Sequence, residues 1–265
     1  MKRGFVRVLF GENVDYGPGA LQKRDVGIVR CRGLLEVDLK LLTHLKYDPP
    51  FVLYIYGQDN YDQCMKMGFD CRLVSPNPAE WDINTKGFRH KLGGLQEAMK
   101  EFDEIIFLDL DTIPQKAVPE TIWEDSYKKA PIQASLRMYK RIKATWRRTH
   151  RRTIPTAAYI YIRDKAIPQG IIDSWEAIGE PLSEEIALAH YIDQISGGWK
   201  GLDHYWDNYE PEFFNLERSL EYKHEDIFSP DQMAQKNLYF HHMDHTDIKR
   251  ILREIKRGHK SPWVE

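Results

Sequence analysis

Residues 104–114 read Glu104-Ile105-Ile106-Phe107-Leu108-Asp109-Leu110-Asp111-Thr112-Ile113-Pro114, four apolar residues running straight into an acid-leucine-acid triplet. A strand that is apolar at every position suits the interior of a parallel sheet covered on both faces. In strand geometry Asp109 and Asp111 share one side while Leu110 points back toward the core. The pattern therefore predicts two carboxylates converging at the carboxyl end of a central strand, where open α/β sheets bind their ligands. Carboxylates so placed repel each other, and a hard divalent cation such as Mg2+ or Mn2+ is their natural partner. The competing reading is a solvated loop that happens to carry two acids.

Working outward, Phe5 to Phe10 (FVRVLF) predicts a first strand that ends at Gly11 and enters a turn-rich loop, GENVDYGPG. Leucines at 34, 35, 39, 41, 42 and 45 follow near-helical spacing, and Pro49 and Pro50 separate them from a second strand, Phe51 to Tyr56. A short strand is expected at Cys71 to Val74, and an amphipathic helix at Phe88 to Phe102 despite Gly93 and Gly94. Strands alternating with helices ahead of Asp109 argue for a mostly parallel, doubly wound α/β sheet with helices on both faces. Downstream, Ala157 to Ile162 reads as a strand. Pro168 to Ile178 and Ser183 to Ile195 read as helices, the first opened by a proline and the second by a Ser183, Glu184, Glu185 first turn. Neither a repeat nor a long linker interrupts the chain, so one domain over 1–265 is expected.

Composition narrows the class. The chain has 265 residues, 42% hydrophobic and 29% charged, which is globular and long enough for a large core. No apolar run approaches the roughly 20 residues of a membrane span, and the start resembles no secretory leader, so neither is expected. Cys31, Cys64 and Cys71 are odd in number and lack CxxC spacing, which predicts neither a disulfide framework nor structural zinc, and a cytoplasmic location is the simplest.

The net charge of −2 excludes a globally basic nucleic-acid coat, but it conceals an asymmetry. From Arg137 to Arg152, RMYKRIKATWRRTHRR holds eight Lys or Arg and no acid; subtracting those eight charges leaves about −10 on the rest. A charge run is commonly a solvated face. Cations interleaved with Tyr139 and Trp146 are also what a phosphodiester groove with an extruded base requires.

The acidic triplet after its apolar strand resembles the DxD motif of GT-A fold glycosyltransferases, of the glycogenin-like and galactosyltransferase-like kind. Further stretches resemble that superfamily in the same order: RHKLGGLQEAMKEFDEIIFLDLD, the strand TAAYIYIRD, HYIDQISGGW, EPEFFN, and YFHHMDH near the end. The resemblance implies a single GT-A-like domain, with residues 1–112 binding a nucleotide sugar and 113–265 facing the acceptor. It implies Asp109 and Asp111 as metal ligands, joined by His241 or His242; imidazole beside two carboxylates suits Mn2+ better than Ca2+, and Mn2+ is expected ahead of Mg2+. Lys91 would contact the donor, as would Asp109, which orients the ribose and metal-bound water.

Lys249 or Lys260 would stand near the diphosphate, although the superfamily's Gly-x-x-Lys-Pro-Trp is absent. Gly11 would leave room for the nucleotide, Tyr16 would stack on its base, and Asp59 would bond the base edge; a turn glycine, a surface tyrosine and a loop aspartate are the alternatives. Asp193, Asp203, Asp207 and Glu210 are candidates for the carboxylate that takes the acceptor proton, with Asp193 and Asp207 favoured.

The implied function is metal-dependent transfer of a sugar from a nucleoside diphosphate sugar, UDP-linked, to a hydroxyl. The basic segment, with Trp146, Arg147, Arg148, Arg151 and Arg152 as acceptor contacts, extends this to a hydroxymethylated base in DNA, as in phage DNA modification in the host cytoplasm. A glycan, lipid or protein acceptor is the alternative. Two other classes compete: a non-catalytic nucleic-acid-binding protein on a GT-A scaffold, and a haloacid dehalogenase-like phosphatase. The phosphatase motif normally sits on the first strand and has Thr or Val where this chain has Ile113.

Overall fold

A computed structural model describes residues 1–10, 39, 51–75, 83–110, 112–114, 120, 123–124, 130–138, 153–179, 184–195, 199–201 and 240–242. In chain order the elements are β1 (Arg3–Leu9), β2 (Phe51–Ile55), α1 (Gln58–Lys66), β3 (Asp70–Leu73), α2 (Ile83–Glu101), β4 (Glu104–Leu108), β5 (Thr112–Pro114), β6 (Ile132–Met138) and β7 (Thr153–Ile162), followed by α3 (Ile167–Ala177), α4 (Glu184–Gln194), β8 (Trp199–Gly201) and β9 (Phe240–His242).

Seven strands form one sheet in the order β3-β2-β1-β4-β7-β6-β8. β1, β2, β3 and β4 pair in parallel, and α1 and α2 carry the chain back along the sheet from β2 to β3 and from β3 to β4. β7 is antiparallel to both β4 and β6, and β8 lies parallel to β6. The sheet is thus α/β and mostly parallel, with one reversed strand inside it. The path runs outward from β1 to β3 and then returns to place β4 on the other side of β1. That reversal opens a crevice beyond the carboxyl ends of β1 and β4, the usual ligand position in such sheets.

All five residues of β4 are buried, matching its unbroken apolar sequence. On one face Val6, Val8, Val52 and Tyr54 pack with residues of α2, α3 and α4; on the other, Leu9, Leu53 and Ile55 pack with Cys64 of α1 and with Leu110. Helices therefore cover both faces. α2 begins before Phe88, and Gly94 within it has a packing cause: a Cβ there would lie 2.5 Å from Cγ2 of Val8. The helix seats on β1 at a distance that only glycine permits. Gly170 plays the same part between α3 and α4, where a Cβ would enter the ring of Tyr191.

Candidate active site at the end of β4

The carboxyl end of β4 differs from the extended arrangement expected of Asp109-Leu110-Asp111. The strand stops at Leu108, and the Thr112 N–H donates to the Asp109 carbonyl at 2.9 Å, closing a tight turn. Leu110 anchors that turn, buried among Leu9, Leu53, Ile55, Cys64, Phe69 and Cys71. Asp111 lies outside the described residues. Beyond the turn, β5 pairs antiparallel with β9, which sets Thr112 opposite His242 and Ile113 opposite His241. A histidine-bearing segment from the far end of the sequence is thereby hydrogen-bonded to the strand that leaves the acidic turn.

Three charged side chains from three elements meet here. Lys91 of α2 places Nζ 2.7 Å from Asp109 Oδ1 and also donates to Glu184 Oε1, from the first turn of α4. Its ammonium lies 5.6 Å from the Phe107 ring centroid. Lys91 and Glu184 are each 5% exposed, whereas the Asp109 side chain keeps 24%. Burial works against the Lys91 charge, but the two carboxylates outweigh it and push its pKa up, so it stays an ammonium. Burial, opposed by Lys91 and reinforced by Asp109, pushes Glu184 up to about 7.

Beside this cluster, His90 stacks on Phe10 at 5.5 Å and meets Tyr56 edge-on at 4.8 Å, so an aromatic group lines the ends of β1 and β2. Arg7, on the opposite face of β1, is fully buried; its Nη2 donates to the Thr112 carbonyl at 2.7 Å and its guanidinium lies 5.3 Å from the Phe51 ring centroid.

Of the residues singled out from sequence, Lys91 and Asp109 are brought together, and the backbone of His241 and His242 is brought beside the turn. Asp59 is exposed in the first turn of α1. Asp193 is exposed in the last turn of α4, nine residues and about 13 Å along the axis from Glu184. Gly11, Tyr16, Asp111, Trp146, Arg147, Arg148, Arg151, Arg152, Asp203, Asp207, Glu210, Lys249 and Lys260 lie outside the described residues.

Sequence reasoning missed Glu184 and Arg7. Glu184 reads as an ordinary acid in a helix first turn, and only the approach of α4 to α2 reveals its partner. Arg7 left a signal, since an arginine inside an otherwise apolar strand needs a buried partner.

No protein-family model and no curated protein sequence matches the chain. Solved structures do match. The galactosyltransferase LgtC, solved in complex with donor and acceptor sugar analogues, superposes with a TM-score of 0.53 at 13% identity, covering 96% of this chain and 95% of that one. A glycosyltransferase involved in glycosylation of the major capsid of PBCV-1 matches with a TM-score of 0.51 at 12% identity, covering 97% and 100%. Mouse xyloside xylosyltransferase 1 matches with a TM-score of 0.50 at 13% identity, covering 92% and 99%. Together with the strand order, the switch point and the acidic turn at its mouth, these matches establish that the chain has the GT-A fold of glycosyltransferases.

Proposed function

We propose that this chain is a glycosyltransferase that moves a sugar from a nucleoside diphosphate sugar, UDP-linked, to a hydroxyl, with a bound divalent cation. The observation that carries the reading is the Lys91–Asp109–Glu184 cluster at the mouth of the β1/β4 switch point. The donor set fits a hard cation. A partly exposed carboxylate sits on a turn fixed at both ends, and the β5–β9 register brings two histidines to the same stretch of backbone. Asp109, Asp111 and one of His241 and His242 would hold the ion, Mn2+ rather than Mg2+. When bound, the ion supplies positive charge for the diphosphate leaving group.

The protein's own residues do the positioning. Lys91 fixes the Asp109 carboxylate toward the crevice, and Glu184 fixes Lys91. Of the acids on α4, Glu184 rather than Asp193 has the geometry of a site residue.

An anionic acceptor, DNA with a hydroxymethylated base, follows from the basic segment and has support in the topology. β7 is antiparallel to β4 with Tyr159 opposite Leu108, so its first six residues run about 20 Å past the carboxyl end of β4. Met138 pairs with Thr153 there. The connection that carries Trp146, Arg147, Arg148, Arg151 and Arg152 therefore leaves and rejoins the sheet on the side of Asp109.

Calorimetric titration of UDP in the presence of Mn2+ tests the site. Binding that requires Mn2+ and is lost in Asp111→Ala, with the unfolding temperature unchanged, supports it; equal binding with EDTA contradicts it.

A further inference from the structure

Three features meet at the Thr112 backbone. Its N–H closes the Asp109 turn at 2.9 Å, its carbonyl accepts from Arg7 Nη2 at 2.7 Å, and it starts the strand paired with the histidine-bearing β9. Arg7 comes from β1, the strand across the switch point from β4, and is 0% exposed. Its guanidinium is held against the Phe51 ring, and Phe51 in turn stacks on Phe5 with centroids 4.7 Å apart. A guanidinium buried in a sheet face otherwise filled by Phe5, Leu9, Leu53 and Ile55 is a costly feature. A well-packed apolar side chain would serve packing alone.

We infer that Arg7 is a positioning residue for the proposed metal and diphosphate site: it fixes the Thr112 carbonyl, and so sets where the Asp109 turn and the β5–β9 pair stand relative to β1. The inference rests on the reading that this turn binds the metal. Arg7 does not itself touch the ligand. The peptide unit it holds belongs to the turn on one side and to the histidine-bearing pair on the other. A planar fork held by an aromatic ring fixes a carbonyl in direction as well as distance, which the flexible single-point ammonium of lysine does not.

The experiment is Mn2+ binding in the presence of UDP, followed by electron paramagnetic resonance, with thermal unfolding recorded for the same samples. The proteins are wild type, Arg7→Met, Arg7→Lys and Ile162→Ala, the last a packing change in the core opposite Ile105, toward the other end of β4 from Asp109. The expected result is Mn2+ affinity 10- to 100-fold weaker in Arg7→Met, the size of effect seen when groups that orient metal ligands are removed. Arg7→Lys should fall between it and wild type, and Ile162→Ala should bind as wild type despite its lower unfolding temperature. Wild-type affinity in Arg7→Met, or an equal loss in Ile162→Ala, would overturn the inference and leave Arg7 as packing. Should Arg7→Met not fold, Arg7→Lys decides by the same comparison. If wild type itself bound no Mn2+, the metal site would fail first, and the role of Arg7 with it.

Discussion

The ammonium of Lys91 stands 2.7 Å from Asp109 Oδ1 and bonds Glu184 as well, so one buried cation joins the second helix, the end of the fourth strand and the start of the fourth helix. Removing it takes the buried counter-charge away from both carboxylates. Lys91→Met should therefore cost about 3–5 kcal/mol of stability, the range for breaking a buried pair. Urea denaturation checks this. A loss below about 1 kcal/mol would mean that the pair is solvated in solution.

The same cluster predicts a pH dependence with a definite sign. Glu184 holds its proton more tightly folded, at about 7, than at its ordinary value of 4.5, so the folded state binds more protons between those values. Its contribution makes stability fall as pH rises from about 4.5 to 7 and level off above. Glu184→Gln should flatten that slope. An unchanged slope in the variant would assign it to another group.

At the other end of the sheet Glu101 acts in the opposite sense. It accepts two bonds from Arg72, at 2.9 Å each, one from Lys2 and one from the Tyr54 hydroxyl, and the Arg72 guanidinium above all holds its carboxyl down to about 2. The stability it contributes is complete above about 4.5 and is lost as pH falls toward 2. Glu101→Gln should cost about 2 kcal/mol near neutrality, as hydrogen bonds to a charged group do, and should soften the acid limb of the unfolding profile. A variant as stable as wild type near neutral pH would show that the cluster is dispensable.

Close packing of α2 on β1 gives a further test. Gly94→Ala would put a methyl 2.5 Å from Val8 Cγ2, and overpacking of this kind costs about 1–3 kcal/mol. A variant with an undiminished unfolding temperature would show that the helix can lift from the strand.

Much of this architecture was legible in the sequence because burial writes itself in residue type. EIIFL and FVLYI are apolar throughout or nearly so and are central parallel strands, and the run of alternating strands and helices before Asp109 points to the class of sheet. What depends on contacts between distant segments was not legible. Gly93 and Gly94 look unfavourable for a helix until Val8 is seen beneath Gly94. Glu184 looks solvated until α4 is set against Lys91. The carboxylates of DLD look extended, yet the Thr112 N–H turns back to Asp109. Arg7 stands out chemically inside FVRVLF, but its bond to the Thr112 main-chain carbonyl could not be read there, since backbone partners leave no mark in a sequence.

The position of the basic segment leads to a prediction about the acceptor. Replacing Arg147, Arg148, Arg151 and Arg152 together by Ala should weaken transfer to hydroxymethylcytosine DNA far more than hydrolysis of the donor. It should also reduce the salt slope of DNA binding by about 0.9 for each phosphate that is no longer neutralised. Equal loss of both activities would remove the acceptor role from this segment.

The most direct test of the central claim is nucleoside diphosphate release from a panel of nucleotide sugars, with Mn2+ or with EDTA, and with or without hydroxymethylcytosine DNA. The account predicts release from a UDP-sugar that needs Mn2+ and rises with the DNA, with the sugar recovered on the acceptor. No release from any donor, or phosphate release without one, would contradict it.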